Sequence, residues 1–416
     1  MDLDLLLALF SGALIVFSAF STFLQRASLP GPLLSLAFGI LVGPHALGLV
    51  RMEDFGVPEG TLLEQAARIT LAVGLAGVAL RLPHGYWLEN VRWIAVVIGI
   101  GMIAMFFVAT GIMMSGLGLP LLMALLLAAI VTPTDPVVTT PIVTGSLAEQ
   151  KVSGRVRHNL SAESGVNDGL GYLFVMLPVL LLTDPDNAWQ ELLGEVLLKE
   201  VLGAAVFGAV AGYLLGMLFV LARTRGLMEE SSYLAFILPL ALFLLGVSRL
   251  LDTDAILAVF VGVAVFGQVI PQRAEAEEDK IQDAVARLFL LPVFILLGIA
   301  LPLTDWAGLG WGPLVVIAAA VVLRRVVTIW VLRPLLKGVY DLRETAFVSW
   351  FAPVGISALL YATVAQRHTG DPDVFVYATM AITLSVVIHG LSSAPLSAWL
   401  HDGETRADQE HGEPAR

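Results

Sequence analysis

The chain has no cysteine, which excludes disulfides, thiolate metal sites and cysteine nucleophiles. It is also poor in charge. Of its 416 residues, 14% are Asp, Glu, Lys or Arg and 57% are hydrophobic, against roughly 25% charged and about half apolar in a water-soluble domain. Such a chain cannot cover a water-facing surface and needs lipid. No basic stripe exists, and the formal net charge is −12, so nothing neutralises phosphates and no nucleic-acid partner is expected. Asp184, Asp186, the acidic run at 275–279 and the acids after Asp402 read as solvated loop and tail charges. The first apolar run follows Asp2 and Asp4 with no basic leader, so it reads as a retained helix and not as a cleaved signal peptide.

What the sequence does have is long apolar runs. Crossing the hydrocarbon takes about 20 mainly apolar residues per helix. The chain divides into about thirteen such stretches: 5–24, 29–49, 60–80, 92–115, 118–144, 157–183, 198–222, 232–250, 254–271, 286–304, 310–332, 344–365 and 374–400. An all-α integral membrane protein follows, with a short tail at 401–416.

Cytoplasmic loops carry the excess of Lys and Arg. Alternate connections hold Arg26; Arg81 and Arg92; Lys151, Arg155 and Arg157; Arg223 and Arg225; Arg273, Lys280 and Arg287; and Arg333, Lys337 and Arg343. The other side holds only Arg51, Lys199, Arg249 and Arg367. A missed or invented helix would scramble this alternation, yet it stays in phase to the end. The N-terminus is then outside and the C-terminal tail cytoplasmic.

Two spans are interrupted. The fifth contains Thr132-Pro133-Thr134-Asp135-Pro136 and a further Pro141; the twelfth contains Ala352-Pro353-Val354-Gly355. Proline removes a backbone donor and clashes with the preceding turn, so both spans are expected to open near their middles. Open backbone at membrane depth survives only inside protein or beside a water-filled cavity. Broken helices paired between two halves of a transporter point to a midplane binding site.

Ionisable groups at bilayer depth cost about 2.5–3.5 kcal/mol or more, so each is a functional candidate. Away from the span ends these are Glu64, Arg68, Asp135, Glu163, Asp168, Arg324, Arg325 and His389. Pro136 deprives the Thr132 carbonyl of its helical donor. That carbonyl, the Thr134 hydroxyl and the Asp135 carboxylate make a set of hard oxygens suited to a hard cation such as Na⁺. In the sixth span Glu163 and Asn167 share a face, whereas Asp168 lies about 140° from Glu163, so the two acids serve different neighbours. Ser164, Gly165 and Gly169 admit a close helix; if it is the fifth span, Asp135 and Asp168 share one polar cavity. Deprotonated, Asp168 holds a cation; protonated, it releases it. Alternating exposure of a site that cannot hold both makes an exchanger.

Arginine stays charged, so one of Arg324 and Arg325 needs a buried carboxylate. A structural Glu163–Arg325 pair is expected, with Arg324 the alternative partner, and the remaining arginine reaches the cytoplasmic interface. Glu64 and Arg68, four apart, neutralise each other. His389 reads as a packed hydrogen-bonding residue.

At these residues the chain resembles the monovalent cation:proton antiporter-1 family, the sodium/proton exchangers. The resemblance rests on Thr134-Asp135-Pro136, Glu163-Ser164-x-x-Asn167-Asp168-Gly169, the arginine of the eleventh helix and Ser385-x-x-x-His389-Gly390, and covers about residues 5–400. It implies an inverted-repeat antiporter fold in which the broken fifth and twelfth helices cross. It also implies a homodimer whose dimerisation domain holds a mobile, elevator-like core, the core including 118–183 and 310–400. Asp168, Asp135, Thr134, Ser164 and Asn167 would form the cation and proton site, Glu163 would pair with Arg325, and Asn167-Asp168 implies electroneutral 1:1 exchange. No cofactor is expected beyond the transported ions, with Na⁺, Li⁺ and K⁺ all open. One departure stands out: many members carry Gly-Leu-Arg-Gly where this chain has Ala352-Pro353-Val354-Gly355, so Val354 replaces an arginine. The alternative reading is a channel or uniporter lined by the same acids. An intramembrane hydrolase lacks its motifs, since neither Gly-x-Gly-Asp nor His-Glu-x-x-His occurs.

Overall fold

A computed structural model describes residues 3–20, 24, 29–135, 150–228, 232–271, 276–336 and 339–411, and these contain helices and turns but no strand. The principal helices are α1 (Leu3–Ala19), α2 (Gly31–Val42), α3 (Glu59–Leu80), α4 (Val91–Leu117), α5 (Leu121–Val131), α6 (Gly154–Thr183) and α7 (Ala188–Thr224). They continue with α8 (Ser232–Leu250), α9 (Ala255–Val269), α10 (Ala276–Ala300), α11 (Trp311–Leu332), α12 (Leu342–Trp350), α13 (Ile356–Thr369) and α14 (Asp373–His411). Each expected span coincides with one of these, the twelfth with α12 and α13 together. Among the described residues, α3, α4, α6, α7, α11 and α14 are long and apolar enough to cross a bilayer. The Val285–Ala300 part of α10 and the short helix Leu303–Leu309, bent by 57° from each other, are long and apolar enough only together, as a broken span or a re-entrant loop.

Packing sorts these helices by what lies on their faces. Helix α7 turns Val206, Val210, Leu214, Leu218 and Leu221 outward, all exposed. Water would not tolerate such a stripe, but lipid satisfies it. Its opposite face carries Gly208, Gly212 and Gly216, which seat against Ala258, Gly262 and Val269 of α9. A Cβ at Gly212 would collide with the Gly262 carbonyl, so small residues here set how closely the two helices approach.

Helix α6 is the polar centre of the molecule. A Cβ at Gly165 would strike the Phe260 ring, and one at Gly169 would lie 3.0 Å from Leu257 Cα. The neighbour these glycines admit is therefore α9, not the fifth span. The fifth span meets α6 elsewhere, through Pro133, which together with Tyr361 crowds Gly171, and through the polar contacts given below. Of the three small residues, Ser164 meets the fifth span, at Thr134, and the two glycines admit α9. Residues on the two sides of α6 face different partners, and spacing along α6 carries no information about which partner is which.

The twelfth span is interrupted as its prolines and glycine require. Helix α12 stops at Trp350, residues 351–355 are non-helical, and α13 starts at Ile356. In the fifth span α5 stops at Val131, and residues 132–135 leave the helix. Pro136 and Pro141, the rest of that expected break, lie outside the described residues, as do Arg26, Arg273 and Lys337. The two non-helical stretches touch: the Asp135 amide donates to the Pro353 carbonyl at 2.9 Å. At the other end of the chain, α14 runs on to His411, so the expected tail begins as a continuation of the last span.

Candidate ion site

Leaving α5, the chain loses the carbonyls that its amides would otherwise use, and α6 replaces them. The Thr134 amide donates to Asn167 Oδ1 at 3.1 Å, and Asn167 Nδ2 donates back to Thr134 Oγ1 at 2.9 Å. Thr134 Oγ1 also lies 3.1 Å from Ser164 Oγ. Asn167 and Ser164, three apart on one face of α6, thus hold the non-helical segment that carries Asp135. The Asp135 carboxylate in turn accepts the Ile356 amide at the start of α13. An unsatisfied helix N-terminus with its positive dipole end is a natural place for a carboxylate.

Asp168 completes the group. Thr134, Asp135, Ser164, Asn167 and Asp168 are all buried, with Asp135 and Asp168 at 0% exposure; neither carboxylate faces lipid. Neither oxygen of Asp168 has a hydrogen-bond partner within bonding geometry, although the Ser357 hydroxyl lies close enough to act on it as a donor and the Asp135 charge reaches it. The Asp168 backbone is pinned instead, its carbonyl accepting the Tyr361 hydroxyl. A buried ion costs several kcal/mol unless it is paired. A carboxylate so placed calls for a proton or a cation.

Glu163 faces the other way, as its spacing requires. It receives Arg325 on both oxygens, Nη1 on Oε1 and Nη2 on Oε2, the latter at 2.8 Å. Arg325 is 0% exposed and Glu163 is 1% exposed. Arg325 Nε also donates to the Val348 carbonyl at 2.7 Å, near the C-terminal end of α12. The alternative partner, Arg324, does not pair with Glu163. Nor does it reach the cytoplasmic interface: it is fully buried, and Nη2 donates to the Ala352 carbonyl inside the break at 2.8 Å. Carbonyls left over where a helix ends attract cations, and the interrupted α12 offers both arginines such an acceptor. His389 braces the same break from α14. Its Nδ1 lies 3.0 Å from Ser385 Oγ, which accepts the Val354 amide at 2.6 Å.

Glu64 and Arg68 pair at 2.6 Å, and Arg367 joins Glu64 at 2.9 Å, so Glu64 serves two cations and not one. Ser357 and Tyr361 are site neighbours that spacing did not mark. The clue available was that both lie on the first turns after the Pro353-Val354-Gly355 break.

Residues 12–399 match the family described as sodium/hydrogen exchanger, transmembrane. Na(+)/H(+) antiporter 2 of Zygosaccharomyces rouxii is 31% identical over 370 residues, covering 85% of this chain and 45% of its own. A Na(+)/H(+) antiporter of Schizosaccharomyces pombe is 27% identical over 429 residues, covering 96% and 92%. Among the fungal relatives, this chain spans only 45%, 34% and 45% of the length of the Z. rouxii protein, a Saccharomyces cerevisiae antiporter and a second S. pombe antiporter. The structure of the sodium proton antiporter MjNhaP1 from Methanocaldococcus jannaschii superposes with a TM-score of 0.72 at 21% identity, covering 96% of this chain and 99% of that one. The fold is therefore shared.

Proposed function

Since the chain belongs to the sodium/hydrogen exchanger family and is a multi-pass membrane protein, we propose that it is a secondary antiporter exchanging Na⁺ for H⁺. Asp168 is the exchanging group. Asp135, Thr134, Ser164 and Asn167 shape the site around the cation, and Glu163 with Arg325 holds the helices that carry it. The observation that carries this reading is the buried Asp168 carboxylate with two unpartnered oxygens beside Asp135. A deprotonated Asp168 binds Na⁺; a protonated one is neutral and lets it go. Since one carboxyl group exchanges one charge for another, transport is electroneutral and 1:1. No covalent step occurs, and the protein is a transporter, not an enzyme.

Alternating exposure comes from an elevator-like movement of a core including 118–183 and 310–400 against the rest, which dimerises. The meeting of residues 132–135 with residues 351–356 supports a core that moves as one piece, because the break of each span supplies the other's hydrogen-bond partners. The N-terminus lies outside and the C-terminus in the cytoplasm of a cell (inner) membrane.

Everted vesicles carrying an imposed pH gradient test this directly. Added Na⁺ collapses the gradient, and clamping the membrane potential with valinomycin and K⁺ leaves the rate unchanged. A Na⁺ current that flows without proton movement identifies a channel instead.

A further inference from the structure

We propose that Glu200 of α7 and Asp254, which precedes α9, form an outer staging site for the transported cation, beside the turn of α6 that follows Asp168. The proposal rests on the antiporter reading and extends its path toward the external face.

Asp254 has two oxygens with different fates. Oδ1 caps α9, accepting the amides of Ile256 at 3.0 Å and Leu257 at 3.2 Å. Oδ2 is buried with no partner, in a residue only 8% exposed. Capping explains the first oxygen but not a charge on the second, because a neutral Asn caps a helix about as well. Glu200 repeats the pattern: its Oε2 is buried and unpartnered. Its backbone carbonyl accepts the Asp254 amide at 3.0 Å, which ties α7 to the start of α9. The charge of Glu200 also acts on the Asp254 carboxylate, and each acid has an oxygen to offer. Hard oxygens so arranged favour a hard cation.

Two of the cations whose charge reaches these acids are already engaged. Arg68 donates to Glu64 at 2.6 Å, and Lys199 pairs with Glu195 at 3.0 Å.

The connection to Asp168 runs through two tyrosines and a close helix contact. Helix α9 lies directly on α6 at Gly169, the residue after Asp168, through the backbone of Leu257. Tyr172 lies four residues beyond Asp168, hence on the same face of α6 and about 6 Å further along the axis. The Glu200 carboxylate is among the charged neighbours of its hydroxyl. Tyr361 donates to the Asp168 carbonyl and has Asp254 among its charged neighbours. Thus a cation leaving Glu200 and Asp254 passes from one pair of carboxylates to the next along α6.

By the charge distribution of the loops, this end of α6 faces outside. Removing one carboxylate there weakens capture from that face and leaves loading from the cytoplasm as it was.

The test uses full-length protein as the native chain, Asp254→Asn and Glu200→Gln. Asp254→Asn keeps the helix cap, and Glu200→Gln keeps the backbone carbonyl that Asp254 uses. Apparent KM for Na⁺ is measured from each face, in right-side-out and everted vesicles. The expected result is a rise of about tenfold or more for external Na⁺, the scale of one charge removed from about 4 Å beside a cation, with cytoplasmic KM unchanged in both variants. Equal changes at both faces, a change confined to the cytoplasmic face, or no change at either overturns the proposal. A native chain that moves no protons in response to Na⁺ overturns the exchanger reading itself and takes this site with it. With a native chain that exchanges normally, the two KM values bear on Glu200 and Asp254 alone.

Discussion

Asp168→Asn reduces Na⁺-driven collapse of a pH gradient to the level of vesicles lacking the protein. The side chain keeps its size but can neither take up a proton nor carry a charge, and among the described residues no other buried carboxylate has both oxygens unpartnered. The variant also folds at least as well as the native chain. A buried carboxylate without partners is a cost of several kcal/mol to the folded state when ionised, and the amide removes that cost. Vesicle assays paired with thermal denaturation in detergent check both halves. Undiminished transport by Asp168→Asn removes the central assignment. Lost transport accompanied by lost yield reduces Asp168 to a structural residue.

Glu163→Gln shows the opposite pattern: it loses stability first and transport as a consequence. Arg325 is wholly buried, and its charge is met by Glu163 on two nitrogens. Removing one partner of such a pair typically costs about 3–5 kcal/mol, because the other charge is left buried and uncompensated. The Val348 carbonyl keeps one hydrogen bond but supplies no countercharge. The expected outcome is a sharp fall in purified yield and in melting temperature. Replacing both partners, Glu163→Met with Arg325→Met, recovers much of the stability that Glu163→Gln loses, since apolar pairs of similar volume often substitute for buried ion pairs. Normal yield with only a weakened Na⁺ affinity in Glu163→Gln instead places Glu163 in the ion site.

These two acids show what a sequence can say about a membrane protein and where it stops. The five-residue offset between Glu163 and Asp168 requires different neighbours for them, and the structure gives them an arginine of α11 and the non-helical segment with Asp135. Helical geometry alone decides that much. The cost of an unpaired arginine in lipid likewise points to a carboxylate partner for one of Arg324 and Arg325. The fate of the other was not legible. Arg324 is satisfied by a backbone carbonyl of the interrupted twelfth span, an acceptor that every residue possesses and that becomes available only where a helix ends. Nor was it legible that α9 would lie against Gly165 and Gly169. Small residues announce a close approach, but lateral neighbours in a helix bundle are set by packing across the whole molecule. Glu200 and Asp254 escaped notice for a related reason: both fall near span ends, where acids are usually solvated. Only the contact of α7, α9 and α6 buries their oxygens.

At the position where the resemblance implies an arginine in the twelfth helix the chain has Val354, which is fully buried. Its amide is held by Ser385, and the adjacent carbonyl at Ala352 receives Arg324. The break thus has a cation at hand without having one of its own.

The most direct measurement is the pH dependence of the apparent KM for Na⁺ on the face where Na⁺ is added. If a cation and a proton compete for Asp168, KM rises by up to about tenfold per pH unit toward acid once that carboxyl is mostly protonated, one unit being about 1.4 kcal/mol, while saturating Na⁺ restores the maximal rate. A KM that stays fixed while acid lowers the maximal rate would mean that Na⁺ and H⁺ occupy separate groups, and Asp168 would no longer be the place where they exclude each other.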